Sequence, residues 1–595
     1  MQDQRRDASV KVDMRLRRPL FPAAKRGVLF VGLLIALSNS LRGNAGEPIA
    51  IRVSPDTPRL TTTGVPFLHE EVDEALSPED GLDLRPEISF HWSKAGPTVA
   101  PFRLKIEIDR KKFSKGVLTV WNWHNHPIGQ WEIEPDAPTP VSVVVDGLGV
   151  YQFTLDGYEG GSCRKRLVRS VSVTKDLRLA RDSWNMEEFF LGVCAFPGRY
   201  HWSFRGEPTL PPGLSEEKAR EIEADLLSRI GFQVVRVDES KEMGDRTPGS
   251  QGEYRFQFDR MDAAVEAYTS RGFQLGFQLM NAPDWAIADS YADRNENRWR
   301  YPRREDPQRA YVRALVERYG KHARFVQIFN EPDQVEFWAG KPEEFVNQFH
   351  FSVEEIHGAV PQMPIINGGY SLVDLERTRY FVEKLKGEIT LPAYHSHGDL
   401  PALREDFETI RNLHREAGYE KVRFLNTEMG FDGWRLDQER SKGAIVPQKT
   451  LFCWANDHAG VLLFGGRMTL GPARVTQDFG FLDHFFCPRY VCGSVAALVS
   501  TLQGATFSEV LHDDGDTVIY QFRHAEDLIL SGFALSKASS VSVGSDAKRW
   551  TSIDAMGNET KVDPDSRFTW KLGAYPRYLV LEAASESKVQ LESKE

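Results

Sequence analysis

"LSEEKAREIEADLLSRIGFQVVRVDES", Leu214–Ser240, carries a helix, its stop and a strand in one line. Ser215 stands where an N-cap belongs, and Ile222, Leu226, Leu227 and Ile230 recur at helical spacing on one face. Gly231 closes the helix, because a residue without Cβ enters the left-handed conformation cheaply. The apolar, β-branched run after it predicts a buried strand. The same unit recurs twice. A helix through Met261, Val265 and Tyr268 stops at Gly272 before "FQLGFQLM", and "NLHREAGYEKVRFLNTE" passes through Gly418 into a strand. An aromatic follows each glycine, as Phe232, Phe273 and Tyr419. A repeated helix-to-strand joint of this kind belongs to parallel α/β architecture.

Outward from these joints, strand starts fall at Phe189, Gln233, Phe273, Phe325, Pro364, Leu391, Lys421 and Ala459, spaced 27 to 52 residues apart. Eight βα units of that length predict a (β/α)8 TIM barrel rather than an open doubly wound sheet. No glycine-rich phosphate loop follows the first strand, which argues against a dinucleotide site, and no cofactor is expected.

On either side of the barrel the texture changes. Before it, "FRLKIEI", "VLTVWNW", "VSVVVDG" and "VYQFTLDG" are short β-branched and aromatic segments separated by turn residues. After it, "DTVIYQFRHAEDLILSGFAL" and "RYLVLEA" read as antiparallel strands. The expected organisation is a β-sandwich accessory domain over 46–178, a catalytic barrel over 179–505, a C-terminal β-domain over 506–583 and a polar, disordered tail over 584–595.

The first 45 residues differ again. Arg15, Arg17, Arg18, Lys25 and Arg26 precede the apolar run Gly27–Leu37 and then small residues up to Ala45. That order predicts a signal peptide over 1–45 and export to the periplasm or the extracellular space. "RRPLF" also fits a twin-arginine signal. An uncleaved anchor of a cell-surface protein is the alternative, although the run is short for a membrane span. Residues 1–45 hold nine Lys/Arg and three Asp, so the mature chain has 65 basic and 82 acidic residues, a net −17. Such a charge excludes nucleic acid and anionic lipid as partners held by bulk electrostatics. The five cysteines form no disulfide framework and no zinc-type spacing. Cys487 and Cys492 are placed for a local pair or for separate buried thiols.

"VQIFNEPDQVEFW", Val326–Trp338, ends the fourth strand on Asn330 and Glu331, and "KVRFLNTEMG" ends the seventh on Glu428, 97 residues later. Barrel enzymes build their sites at these C-terminal strand ends. Two carboxylates at one mouth, one protonated and one ionised, match the division of labour in glycosidic bond cleavage.

On these motifs the stretch from about Glu188 to Gln503 resembles the clan A glycoside hydrolases, whose fourth strand ends Asn-Glu and whose seventh ends in Glu. The flanking β-domains look most like the β-xylosidase and α-L-iduronidase type. The resemblance implies a carbohydrate substrate and double displacement with retention, Glu331 being the acid/base and Glu428 the nucleophile. It implies that Asn330 hydrogen-bonds the sugar 2-hydroxyl, that Arg236 holds Glu428 ionised and that His395, in "AYHSHG", hydrogen-bonds the carboxylates. His397 stands where the clan often has tyrosine, Gln327 and Phe329 where many relatives have Glu and Trp, and Phe464 where a tryptophan is frequent.

Trp285, in "NAPDWA", is the leading candidate for a sugar-stacking platform, with Trp338 and Trp434 on the same presumed face. Two histidines two residues apart also raise metal binding, but no third ligand accompanies them at convincing spacing, so no metal is expected. The alternative function is a carbohydrate-binding protein on a barrel that has lost turnover, and the departures at His397, Gln327 and Phe464 are its support.

Overall fold

The computed structural model describes residues 50–593 apart from short internal stretches, the longest being 54–72, 198–209, 239–253 and 468–478. The expected signal peptide, 1–45, lies outside the described residues. Eight parallel strands form the centre: β1 (Phe190–Ala195), β2 (Val234–Asp238), β3 (Gln274–Leu279), β4 (Ala323–Ile328), β5 (Ile365–Ile366), β6 (Ala393–Ser396), β7 (Leu425–Met429) and β8 (Gly460–Leu463). All eight expected strands are present. The largest displacement of a start, four residues, is at β7, expected from Lys421 and observed from Leu425.

A helix follows each strand: α1 (Glu216–Ile230), α2 (Asp259–Thr269), α3 (Glu305–Tyr319), α4 (Pro342–Ala359), α5 (Leu375–Lys384), α6 (Leu400–Glu416), α7 (Leu436–Ala455) and α8 (Tyr490–Leu502). Ser215 caps α1 by accepting from the Lys218 amide at 3.2 Å. The three joint glycines, Gly231, Gly272 and Gly418, have φ of 101°, 80° and 79°, the conformation that led the chain to place glycine there.

Pairing runs β5-β4-β3-β2-β1-β8-β7-β6, which leaves one seam between β5 and β6. Strand β5 has only two residues, and side chains supply what a longer strand would. The Asn367 amide exchanges two hydrogen bonds with the backbone of Ala393, at 2.5 and 2.8 Å, and Tyr370 bridges Tyr394 in parallel register. Just before β6 the Thr390 amide donates to the Ile365 carbonyl at 2.8 Å and the Thr390 hydroxyl accepts from the Ile365 amide at 3.1 Å, so side chains and a few backbone bonds close the barrel together.

Before the barrel lie a four-stranded and a six-stranded sheet, whose inward residues, among them Phe102, Val143, Leu118 and Phe153, join one apolar cluster. In Val99–Ile108 every second residue is buried, the alternation of a strand with one wet face. After the barrel come a six-stranded and a three-stranded sheet. Asn558 ties the two flanking regions together: its Oδ1 accepts from the Leu148 amide at 2.8 Å and its Nδ2 donates to the Leu148 carbonyl at 3.0 Å.

The expectation of a disordered tail needs correction. Gln590–Ser593 forms a strand antiparallel to Ser539–Gly544, because Val589 and Leu591 alternate onto the apolar cluster around Trp550 and Trp570. Polar composition hid a two-residue apolar alternation. The five cysteines are free thiols; Cys492 donates to the Phe481 carbonyl at 2.9 Å rather than pairing with Cys487. No helix among the described residues is long and apolar enough to cross a membrane.

Gly231 offers a test of the joint. A Cβ there would sit 2.7 Å from Val499 Cγ1, on a backbone at positive φ. Gly231→Ala is expected to lower stability by about 1–3 kcal/mol, measured as a shift in the urea unfolding midpoint at unchanged slope.

Candidate active site

The C-terminal ends of β2, β4, β6 and β7 bring together six buried or half-buried residues, Arg236, Asn330, Glu331, His395, His397 and Glu428. Arg236 leaves β2 with its side chain 1% exposed and donates from Nη2 to Glu428 Oε1 at 2.6 Å. Its Nη1 donates to the Thr427 carbonyl at 3.2 Å and to Gln327 Oε1 at 3.3 Å. Burial alone would raise the pKa of Glu428, but the charges of His395 and Arg236 and a hydrogen bond from His397 outweigh it and hold the carboxyl well below the usual range. Glu428 is therefore built to be ionised.

Glu331 sits on a strained turn. Phe329 and Glu331 have φ of 72° and 41°, in the left-handed region that costs a non-glycine residue about 1–3 kcal/mol. Two backbone bonds hold the turn, Phe329 N to the Leu279 carbonyl at 2.7 Å and Glu331 N to the Gly368 carbonyl at 2.9 Å. Gln327 reinforces it by donating to the carbonyls of Gly368 and Phe329 at 3.0 and 3.2 Å. The buried Asp333 carboxylate accepts from the Ser371 and Leu372 amides and from the Ser371 and Thr378 hydroxyls, which locks the loop after β4 to that after β5.

His395 joins the two carboxylates. Its Nδ1 lies 2.7 Å from Glu331 Oε1 and 3.6 Å from Glu428 Oε2, and its Nε2 lies 3.1 Å from Thr427 Oγ1. The ring packs where a Cβ on Gly369 would fall, 2.1 Å from Nε2, so glycine is required there as well as by its φ of 69°. His397 Nε2 lies 3.5 Å from Glu428 Oε2, with its ring against Phe464 and Phe479 at centroid distances of 5.3 and 4.9 Å. Gln278 Nε2 donates to Asn330 Oδ1 at 2.5 Å, which orients the amide with its oxygen on Gln278 and its NH₂ on the other side.

The structure thus gathers Glu331, Glu428, Asn330, Arg236, His395 and His397, and it sets the tryptophans apart. Trp338 is fully buried among Phe329 and Phe345, so it is core and no platform. Trp285 is half-buried and stacks on Tyr254 at 5.5 Å, which occupies one of its faces. Trp434 lies outside the described residues. The expectation of no third metal ligand beside the histidines rests on spacing along the chain. In space both glutamates supply donors, and one donor atom from each of Glu331, His395, His397 and Glu428 lies within 4.8 Å of every other.

Three polar residues escaped the sequence reading. Gln278 and Gln334 orient Asn330 and Glu331, the latter by a 2.8 Å bond from Gln334 Nε2 to Glu331 Oε2. Lys449, on α7, is fully buried and donates to three backbone carbonyls, those of Ser396 and Gly398 at 2.8 Å and of Gly430 at 2.9 Å. These carbonyls bracket His397 and follow Glu428. Burial pulls the Lys449 ammonium down to about 7, and three acceptors for three N–H donors offset the cost of keeping it charged. Its helical neighbours Ile445, Val446, Phe452 and Cys453 are all apolar, a sign of burial that was readable in the sequence. Lys449→Met is expected to lower stability by about 2–5 kcal/mol through three orphaned carbonyls, read from urea unfolding, and to shift the His397 imidazole resonances. A variant of unchanged stability and spectrum would show that the clamp is dispensable.

Among solved structures, a family 39 glycoside hydrolase from Bacteroides cellulosilyticus is similar to this chain with a TM-score of 0.62 at 15% identity, over 84% of this chain and 100% of that one. A family 39 β-xylosidase from Caulobacter crescentus gives 0.47 at 11% identity over 67% and 97% of the two chains. A family 30 endoxylanase from Clostridium papyrosolvens gives 0.44 at 12% over 66% and 96%. No protein-family model and no curated protein sequence matches the chain. What this chain shares with the first of these structures is its fold, a (β/α)8 barrel flanked by β-sheet regions.

Proposed function

We propose that this chain is a retaining glycoside hydrolase that cleaves O-glycosidic bonds of an oligo- or polysaccharide, with Glu331 as acid/base and Glu428 as nucleophile. The observation that carries this is the spacing of the two carboxylates, an oxygen of each lying within 4.8 Å of the other. Retaining pairs stand about 5–5.5 Å apart, whereas inverting pairs need about 6.5–9.5 Å to hold a water between acid and base. The ionised state favoured for Glu428 supports its role as attacker, and the fold shared with a family 39 glycoside hydrolase fits the reading. The N-terminal pattern of basic, apolar and small residues supports export of the mature enzyme.

In the first step the Glu331 carboxyl gives its proton to the departing glycosidic oxygen while a Glu428 oxygen attacks the anomeric carbon. The carbon–oxygen bond to the leaving group breaks as an ester to Glu428 forms. In the second step the Glu331 carboxylate takes a proton from water, whose oxygen attacks the same carbon and releases Glu428. The Asn330 NH₂, oriented by Gln278, donates to the hydroxyl beside the anomeric carbon, an interaction that strengthens as positive charge develops there.

Assay of aryl glycosides and of plant and microbial polysaccharides tests the whole reading. Glu428→Ala is expected to lower turnover by about 10⁴-fold or more, and added azide to restore it as a glycosyl azide of inverted configuration. Sugar binding without turnover by the wild type would instead favour a carbohydrate-binding protein. Glu331→Ala is expected to keep the first step with acidic phenol leaving groups and to lose alkyl glycosides, because only the latter need a proton on departure. Equal loss on both substrate types would remove Glu331 from the acid role.

A further inference from the structure

The four groups at the mouth, Glu331, His395, His397 and Glu428, have a second chemical capacity. Two imidazoles and two carboxylates are a donor set suited to zinc-class divalent cations. In a tetrahedral zinc site with bonds of about 2.0–2.1 Å, ligand atoms stand about 3.3–3.4 Å apart. The separations here are 2.7 Å from His395 Nδ1 to Glu331 Oε1, 3.6 Å from His395 Nδ1 to Glu428 Oε2 and 3.5 Å from His397 Nε2 to Glu428 Oε2. These three of the six edges straddle the tetrahedral edge, and all four donor atoms lie within 4.8 Å of one another, so a modest contraction would complete the site.

The surroundings fit as well. Metal-bound imidazoles place their other ring nitrogen on a hydrogen-bonding oxygen, and His395 Nε2 already lies 3.1 Å from Thr427 Oγ1. Arg236 occupies Glu428 Oε1 and leaves Oε2 facing the histidines. His397 is what makes the set. A phenol at that position would leave two carboxylates and one imidazole.

We propose that Glu331, His395, His397 and Glu428 form a seat for one zinc-class divalent cation, and that its binding blocks hydrolysis. The cation takes the place of the protons shared among these groups, so Glu331 has none to give and Glu428 has no free oxygen for attack. The binding half of this stands on geometry alone, while the inhibitory half rests on the hydrolase reading.

The test is calorimetric titration of the chelator-stripped full chain with zinc chloride, alongside turnover of an aryl glycoside in the same zinc concentrations. One zinc per chain is expected, weakened at least tenfold by His397→Tyr or His397→Gln with the fold intact by circular dichroism. Binding should be unaffected by His350→Ala, at the surface pair with Glu388. Inhibition should follow the binding curve and reverse with chelator. Zinc affinity indifferent to both His397 substitutions, or lost on His350→Ala, would overturn the seat. Zinc bound at the seat in a protein that turns over no glycoside would leave the seat standing and sink the hydrolase reading. Turnover with no zinc binding would do the reverse.

Discussion

A carboxylate buried at the mouth of a barrel cannot stay charged without a partner, and the structure is arranged around that constraint. Arg236 and Glu428 are 1% and 9% exposed and 2.6 Å apart. Removing one member of such a pair leaves the other charge uncompensated, at about 3–5 kcal/mol. The guanidinium also bonds Gln327 on β4 and the Thr427 carbonyl on β7, so one side chain from β2 joins three strands across the barrel. Because the same Gln327 holds the turn that presents Glu331, the position of Glu331 is coupled to Arg236 through a single amide.

A second buried cation works from behind. Lys449 touches neither carboxylate. It gathers backbone carbonyls on either side of His397 and just beyond Glu428, so a helix fixes the ends of β6 and β7 that carry those side chains. Arg236 sets charge and Lys449 sets backbone position. The difference follows from their chemistry, a planar fork that fits a carboxylate and a compact ammonium that converges three oxygens.

The barrel was legible because its signal is local and repeated: each helix, glycine and strand lies within one short stretch, and the physical reason for the glycine is the same each time. The carboxylates were legible because apolar strands ending on Asn330, Glu331 and Glu428 conflict with burial unless they end at a site. What stayed hidden depends on which distant groups meet. Trp338 follows the Glu331 motif by seven residues and is pulled into the core by Phe345 on α4. The histidines gain further potential ligands from strands 64 and 31 residues away in sequence, at Glu331 from His395 and at Glu428 from His397, which spacing rules for metal sites do not reach. The closure of β5 onto β6 by Asn367 was equally invisible, since an asparagine after a short apolar run reads as a turn.

The proposed reaction asks Glu331 to lose a proton in one step and regain it in the next while buried, where each state needs satisfied neighbours. His395 meets that demand through Thr427. When Glu331 is ionised, Nδ1–H can donate to it across 2.7 Å. When Glu331 carries the proton, the same nitrogen can accept. At the opposite nitrogen the Thr427 hydroxyl, 3.1 Å away, can accept or donate, so it answers either state of the ring. Thr427 stands immediately before Glu428 in the chain, so the hydroxyl that answers His395 and the carboxylate beside it are carried by one strand. Gly369 closes the arrangement from the opposite side by leaving the room a Cβ would take from the His395 ring.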